Sequence, residues 1–445
     1  MATSKPPYLR YLAAAVLFAI AFGLRLGAVN QTTVPDPLRA DADDYFNYAL
    51  NLKHHGTFSR QTYNIDSDPK PDAVRSPGYP VFLLPLAEQP STDFVIWRIT
   101  LVQAVLGSLS VLLALGIYRR LMSEGWALGA ALLTALSPHL INITTLVLSE
   151  TLFIFLTVLS LWLMIRMHET GSRRLALLAG AIIACAALTR PTLQYFIVPL
   201  AGMLLLTGWR ANLRLAIPLL LGFVLVFTPW QLRNLHQTGH LSDPTLTINA
   251  FHHGMYPDFR YQDRPETTGF PYQYNPRNKE LSSSKESVLA EIGRRFREEP
   301  ARHLKWYLLG KPVTLLQWNI LAGIGDILIY PVTASPYIYE PLYVYTHNLM
   351  RLLHWPLVVL ALIATLAAWW PATARRLSAT PRFTLRLLSL LTLYFIALHI
   401  VAAPFPRYGI PLRPAIYGLG MLCCAQGIGL LKCWLKQLRT QPEQA

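Results

Sequence analysis

Stretches of about twenty predominantly apolar residues recur along this chain, and a polypeptide built that way has few folds open to it. A helix of about that length crosses the hydrocarbon of a bilayer, where every backbone polar group must be satisfied inside the protein. Ten such stretches can be traced, at about 11–29, 96–117, 126–143, 146–165, 174–189, 192–208, 214–232, 346–370, 384–403 and 408–431. Of the 445 residues only 14% are charged, where soluble domains carry about 25%. The chain therefore reads as an all-α polytopic membrane protein, which excludes most soluble-enzyme classes.

The formal charge of +15 could signal a polyanionic partner, so its location matters. With the N-terminus (Lys5, Arg10) placed in the cytoplasm and the sides alternating, the inward segments hold Arg119, Arg120, Arg166, Arg173, Arg174, Arg210, Arg375, Arg376, Arg382, Lys432, Lys436 and Arg439. The outward loop 30–95 has nine acids against five bases. That is the positive-inside bias, so the basic balance reports topology and no nucleic-acid partner is expected. Both termini are expected in the cytoplasm. Cys185, Cys423, Cys424 and Cys433 fall in spans or the tail, so no disulfide framework is expected on the outer side. The first span lacks a small-residue cleavage site and reads as a retained helix.

This organisation divides the chain into a first transmembrane helix (1–29), an outer loop (30–95), helices two to seven (96–232), a second outer loop (233–345), the C-terminal helices (346–431) and a cytoplasmic tail (432–445). Within the second loop an amphipathic helix is predicted at 285–299, with Lys285, Val288, Leu289, Ile292 and Phe296 along it. Leu304–Ile320 is apolar enough to insert, but one crossing there would put Arg375, Arg376, Arg382 and Arg386 outside. An interfacial or re-entrant helix, or an even number of crossings, is expected instead, for a total of ten to twelve spans. No inverted repeat of the transporter kind is visible.

The first loop carries the most chemistry. Residues 40–56 place Asp41, Asp44, Tyr45 and Tyr48 on one face of a helix and Phe46, Ala49 and Leu50 on another, with an end at Gly56. Asp41, Asp43 and Asp44 suit the positive end of that helix; they also stand where an amphiphilic substrate would present its head group. Arg75-Ser-Pro-Gly-Tyr79-Pro comes next, a rigid turn behind an arginine whose planar fork suits phosphate or carboxylate.

Asp-x-x-x-Tyr on a short helix after the first span, followed by Arg-x-Pro-Gly-Tyr-Pro, resembles the membrane glycosyltransferases of the GT-C superfamily, in particular the bacterial protein-mannosyltransferase and aminoarabinose-transferase-like enzymes. Ser149-Glu150-Thr151-Leu152-Phe153, Leu188-Thr189-Arg190-Pro191, Pro229-Trp230-x-x-Arg233-Asn234 and Arg407-Tyr408-x-x-Pro411 extend the resemblance over nearly the whole chain. It implies a GT-C-type bundle with an outer-face first loop, a lipid-phosphate-linked sugar donor, attack by an acceptor at the outer face and inversion at the anomeric carbon. The aspartate matching the motif is Asp41, which would be the general base, although Asp43 and Asp44 leave that assignment open among three residues. The family varies in its use of a divalent metal, and this sequence offers no clean ligand set, so the cofactor stays open.

Transfer of this kind needs a carboxylate to take the acceptor's proton, cations to stabilise the departing phosphate, and a groove for the isoprenoid. Asp41 and Asp44 fit the first role. Glu150 is a further candidate, because an acid that interrupts an apolar run reads as functional; it would bind a sugar hydroxyl, hold a metal or pair with Arg190. Arg75, Arg190, Arg233, Lys311 and Arg407 map to the outer side and are candidates for the donor phosphate, with Tyr79 and Tyr408 beside them. Each cation could instead snorkel at a helix end. His252-His253 reads as a solvated pair before a metal or sugar site. The groove would fall to the aromatic stretch Trp306–Tyr345, with Trp318, Tyr330, Tyr337, Tyr339, Tyr343 and Tyr345, which reads first as interface anchoring. The expected function is an inverting transferase taking a sugar from a polyprenyl-phosphate donor to a glycan, lipid or protein acceptor in a bacterial plasma membrane. A lipid flippase or a surface-polysaccharide polymerase or ligase is the alternative.

Overall fold

Each of the ten apolar stretches falls on a helix. The computed structural model describes residues 7–206, 208–321 and 323–440; Lys5 and the last five residues of the expected tail lie outside them. Among the described residues six helices are long and apolar enough to cross a membrane, or seven with one bent pair, fewer than the ten to twelve spans expected: Tyr8–Gln31, Asp93–Tyr118, Glu150–Thr170, Asn212–Thr238, Pro341–Ala367 and Ala379–Val401. The stretch 126–143 is a pair, Glu124–Leu136 and Pro138–Thr145, bent by 51°. The bend arises at Pro138, whose ring disfavours the helical conformation at the residue before it; Ser137 is extended, with φ −60° and ψ 115°. Arg173–Thr189, Pro191–Leu206 and Arg413–Thr440 account for the other three stretches, and the last runs on past residue 431.

Two boundaries differ from expectation in ways that matter. The stretch 146–165 becomes helical only at Glu150, which puts that acid in the first turn of the helix Glu150–Thr170. The amphipathic helix forms at Lys285–Glu298, but its buried positions are Val288 and Glu291, and Leu289 is exposed. Glu291 can be buried because Arg277, Arg294 and Arg295 all donate to it; that pairing offsets the cost of burying charge.

After it, residues 300–316 form one helix with a wider turn at Trp306–Gly310. Leu304, Leu308, Leu309 and Val313 lie exposed along it. The chain is then irregular to Ser335. Of the aromatic residues read as interface anchors, Tyr339 and Tyr345 are exposed, whereas Trp318, Tyr330 and Tyr343 are buried.

The spans pack around one continuous apolar core. Asp93–Tyr118 lies against Pro7–Gln31 and Glu150–Thr170, and Arg173–Thr189 against Glu150–Thr170 and Trp209–Thr238. Arg413–Thr440 packs on Pro341–Ala367 and Glu124–Leu136. Chain direction then brings particular ends together. The first span ends, the helix Glu150–Thr170 begins, Arg173–Thr189 ends and Arg413–Thr440 begins at the same face of the bundle, and the loop 32–92 lies over it.

Candidate active site

The helix Asp41–His55 forms as its sequence predicts. Three aspartates occupy its first turn, Lys53, His54 and His55 its last, and Gly56 closes it in the left-handed conformation with φ 65°. Its packing is more complete than alternation of faces implied: Tyr45, Phe46, Tyr48, Ala49 and Leu50 are all buried. Ala40, immediately before it, has φ 51°, a conformation that an L-residue with a side chain rarely adopts. Strain of this kind concentrates at functional sites.

Arg75 lies across the start of this helix. Its Nη2 donates to Asp41 Oδ1 at 2.8 Å and to Asp44 Oδ2 at 2.7 Å, and its Nε donates to the same Asp44 oxygen at 2.9 Å. The turn that delivers it is fixed by Gly78: a Cβ there would lie 2.5 Å from Thr189 Oγ1 and 2.8 Å from Thr189 N. Only a glycine lets the Arg-Ser-Pro-Gly-Tyr turn rest on the backbone just before Arg190, so two separate sequence motifs meet.

Glu150 is fully buried, and its Oε1 accepts from Arg190 Nη1 at 2.7 Å and from Arg407 Nε. Arg190 also donates to Ser149 Oγ at 3.1 Å, which lies 3.3 Å from the Tyr45 hydroxyl. Arg407 Nη1 donates to Asp41 Oδ2 at 2.8 Å. Asp41, Asp44, Glu150, Arg75, Arg190 and Arg407 thus form one chain of charge-assisted hydrogen bonds. Burial alone would raise the Asp41 carboxyl; Arg407 and Arg75 outweigh it and hold it at about 2. Asp43 points elsewhere: it is exposed and accepts from Asn47 Nδ2 at 2.9 Å. Among the described residues, Glu150 Oε2 and Arg407 Nη2 are buried with no hydrogen-bond partner, leaving one free acceptor and one free donor beside the acids.

The remaining candidates serve this cluster from behind or lie apart from it. Tyr79 is wholly buried, donates to Gln103 Oε1 at 2.7 Å and sits edge-on to Tyr45. Tyr408 stacks beneath Arg190, 5.2 Å from its guanidinium carbon. Arg233 donates to the carbonyls of Asp72 at 2.6 Å and Phe58 at 3.1 Å. Lys311 is wholly buried and donates to the carbonyls of residues 400–402. His252 and His253 are not solvated: both are mostly covered, and burial pulls both down to about 4. His253 stacks on Tyr272, and the His252 ring nitrogen lies 3.3 Å from the Tyr256 hydroxyl. Among the described residues, no group of three or more His, Cys, Asp or Glu is placed to hold a metal.

Two residues at the cluster have no role in the sequence expectations for it, although Ser149 opens the Ser-Glu-Thr-Leu-Phe motif. Ser149 lies between Tyr45 and Arg190. Tyr330, from the irregular segment, is buried, and its hydroxyl donates to the Arg39 carbonyl at 3.1 Å, just ahead of Asp41. Its only sequence signal is that of an aromatic residue in a membrane protein, which points to an interface.

Comparison with known proteins agrees with this architecture. The family described as dolichyl-phosphate-mannose-protein mannosyltransferase matches residues 91–231. The structure is similar to the archaeal oligosaccharyltransferase AglB from Archaeoglobus fulgidus in complex with an inhibitory peptide and a dolichol-phosphate. The TM-score is 0.54 at 14% identity, covering 98% of this chain and 52% of that one. The same enzyme tethered with an acceptor peptide gives a TM-score of 0.53 at 14% identity, over 96% of this chain and 50% of that one. ArnT from Cupriavidus metallidurans bound to undecaprenyl phosphate gives 0.42 at 13% identity, over 96% and 79%. The chain spans about half the length of the archaeal enzyme. No curated protein sequence matches it. The fold is similar to that of the archaeal oligosaccharyltransferase, a helical bundle of the kind the sequence resemblance implied.

Proposed function

We propose that the protein is an inverting glycosyltransferase that moves a sugar from a polyprenyl-phosphate carrier to an acceptor hydroxyl at the outer face of a bacterial plasma membrane. The observation that carries this reading is Arg407, which joins Asp41 to Glu150 at the membrane-proximal end of the first loop. Three guanidiniums and three carboxylates gathered there make a site whose cations are held by the protein's own anions. A donor phosphate entering it would exchange with those carboxylates for Arg190 and Arg407. The matched family's description names a dolichyl-phosphate-linked mannose, and the archaeal oligosaccharyltransferase was captured with dolichol-phosphate; both support a lipid-phosphate donor.

That exchange sets the chemistry. At rest Asp41 is a weak base, because two arginines stabilise its anion. A phosphate on Arg407 draws that stabilisation away and adds a like charge nearby, and both effects raise a carboxylate pKa. Donor binding thus makes Asp41 a better base when it is needed. The acceptor hydroxyl gives its proton to Asp41 as its oxygen bonds to the anomeric carbon from the side opposite the phosphate. The bond from that carbon to the phosphate oxygen breaks, its electron pair leaves with the polyprenyl phosphate, and Arg190 and Arg407 stabilise the charge that develops. Glu150 Oε2 is available to accept from a sugar hydroxyl.

The test is mass spectrometry of surface glycans, lipids and proteins from a strain lacking the protein, complemented with the wild type or with Asp41→Asn. A sugar that disappears, returns with the wild type and stays missing with Asp41→Asn supports the reading and identifies the donor sugar and acceptor together. Restoration by Asp41→Asn overturns it.

A further inference from the structure

Lys311 is a fully buried cation that the transfer step does not use. Among the described residues no carboxylate pairs with it, so its charge has to be accounted for by something else. Its Nζ donates to the carbonyls of Ile400 at 2.8 Å, Val401 at 3.3 Å and Ala402 at 3.1 Å, and it lies 3.5 Å over the Tyr307 ring. An ammonium has three N–H donors, and here each has a carbonyl. Those carbonyls are the end of the helix Ala379–Val401, where backbone acceptors lack partners within the helix and the helix dipole favours a cation.

The chain leaves that helix end directly into the segment that bears Arg407, five residues past Ala402. Several contacts hold the segment. A Cβ on Gly409 would run into the Leu315 carbonyl, and Leu315 lies one turn beyond Lys311, on the same face of the 300–316 helix. A Cβ on Gly254 would lie 2.8 Å from the Ala402 carbonyl, and Trp306 Nε1 donates to the Gly254 carbonyl at 2.9 Å. Phe259, wholly buried and held at φ 51°, stacks on Phe405 with ring centres 4.6 Å apart. One short helix therefore grips both ends of residues 400–409, and the free guanidinium nitrogen of Arg407 projects from the stretch between.

We propose that Lys311 is a positioning residue: its ammonium caps the helix Ala379–Val401 and thereby sets where Arg407 meets the donor phosphate, without touching that phosphate itself. The inference rests on the reading of Arg407 as the phosphate anchor. It assigns the second outer loop a role in donor affinity, because helix 300–316 is the loop's last regular element before the irregular segment.

The experiment is a double-mutant cycle on binding of a polyprenyl phosphate to the purified full-length protein in detergent, with thermal unfolding as the check on folding. Lys311→Met keeps the stem and removes the charge; Gly254→Ala disturbs Ala402 from the opposite side and carries the test if Lys311→Met does not fold. Each is expected to weaken binding about tenfold alone and to add little to Arg407→Ala, as coupled neighbours do. In transfer assays the loss should appear in KM for the donor and also in kcat, because Arg407 stabilises the departing phosphate as well as the bound one. Unchanged binding in Lys311→Met or, where that does not fold, in Gly254→Ala overturns the proposal, and so does an equal loss with and without Arg407. If Arg407→Ala itself leaves binding intact, the phosphate-anchor reading fails first and takes this inference with it.

Discussion

Arg407 Nη1 lies 2.8 Å from Asp41 Oδ2, joining residues 366 positions apart. The first loop and the entry to the last span are thus two halves of one site, and neither is complete alone. The same guanidinium reaches Glu150 through its Nε, so three remote segments converge on one side chain. Its planar fork is what allows this, and a lysine would give a single point of charge.

Asp41→Asn is the direct test of the base. The amide oxygen can still accept from an arginine, so the variant should remain folded. Transfer should fall by roughly 10²–10⁴, the range general-base assistance supplies. Single-turnover assays with saturating donor measure it, and a loss below tenfold would assign the proton to another group.

The resting pKa of Asp41 makes a prediction about pH. The carboxyl is held at about 2 against an ordinary 3.8, so its folded value is depressed. The stability it contributes is then present above the unfolded value, about pH 4, and is lost as pH falls towards 2. The wild type should unfold at a higher temperature than Asp41→Asn at pH 6, and the gap should narrow below about pH 4. A gap that stays constant down to the lowest accessible pH would mean that Asp41 does not carry its charge against Arg407 and Arg75.

Glu150 should matter more for stability than Asp41 does. It is completely buried, and neutralising it leaves Arg190 short of a counter-charge inside the protein. Breaking a buried pair from one side costs about 3–5 kcal/mol, so Glu150→Gln should lower the unfolding midpoint further than Asp41→Asn. Comparing the two in one detergent checks the order; the reverse order would show that Glu150 is not charged in the folded protein.

The ten apolar stretches were legible because a bilayer tolerates so few backbone solutions. Asp41, Glu150, Arg75, Arg190 and Arg407 were legible as candidates because charge at the ends of apolar runs is costly and stands out. Their partners were less so. Topology assigned Arg233 and Lys311 to the same face as the others but could not say what they touch, and they touch backbone carbonyls, which leave no trace in the choice of residue. Tyr330 lies in a stretch with no periodicity, so its place beside Asp41 depends on a chain path that no local pattern encodes. The burial of Glu291 left no signal in the apolar pattern of its helix, because it depends on three arginines that come from two different elements.

Gly78→Ala tests whether the Arg-Ser-Pro-Gly-Tyr turn works by close packing. The added methyl would meet Thr189 Oγ1, Thr189 N and the Leu188 carbonyl, all at 2.9 Å or less, and two of these are backbone atoms that cannot rotate away. The turn must lift, carrying Arg75 from Asp41 and Asp44. We expect transfer to fall at least as far as in Arg75→Ala, and the double variant to be no worse than the single ones, as coupled sites behave. Additive losses would place the effect of Gly78 outside the arginine it delivers.

Arg233 yields the sharpest contrast between holding a loop and holding a substrate. It clasps the carbonyls of Phe58 and Asp72 and is flanked by the rings of Phe58 and Trp230, at 5.4 and 5.0 Å. Asp72 in turn accepts from the Tyr48 hydroxyl and from Arg60 N, so Arg233 pins the stretch that leads to Arg75. Lysine keeps the charge but cannot span both carbonyls. Arg233→Lys should therefore speed proteolytic cleavage within residues 57–74 and leave polyprenyl-phosphate affinity within about twofold, since the guanidinium is engaged with backbone carbonyls and not with the donor. A donor-binding arginine would give the opposite pair of results: weakened binding of the lipid phosphate and an unchanged cleavage pattern. Limited proteolysis and a binding titration on the same preparation separate the two.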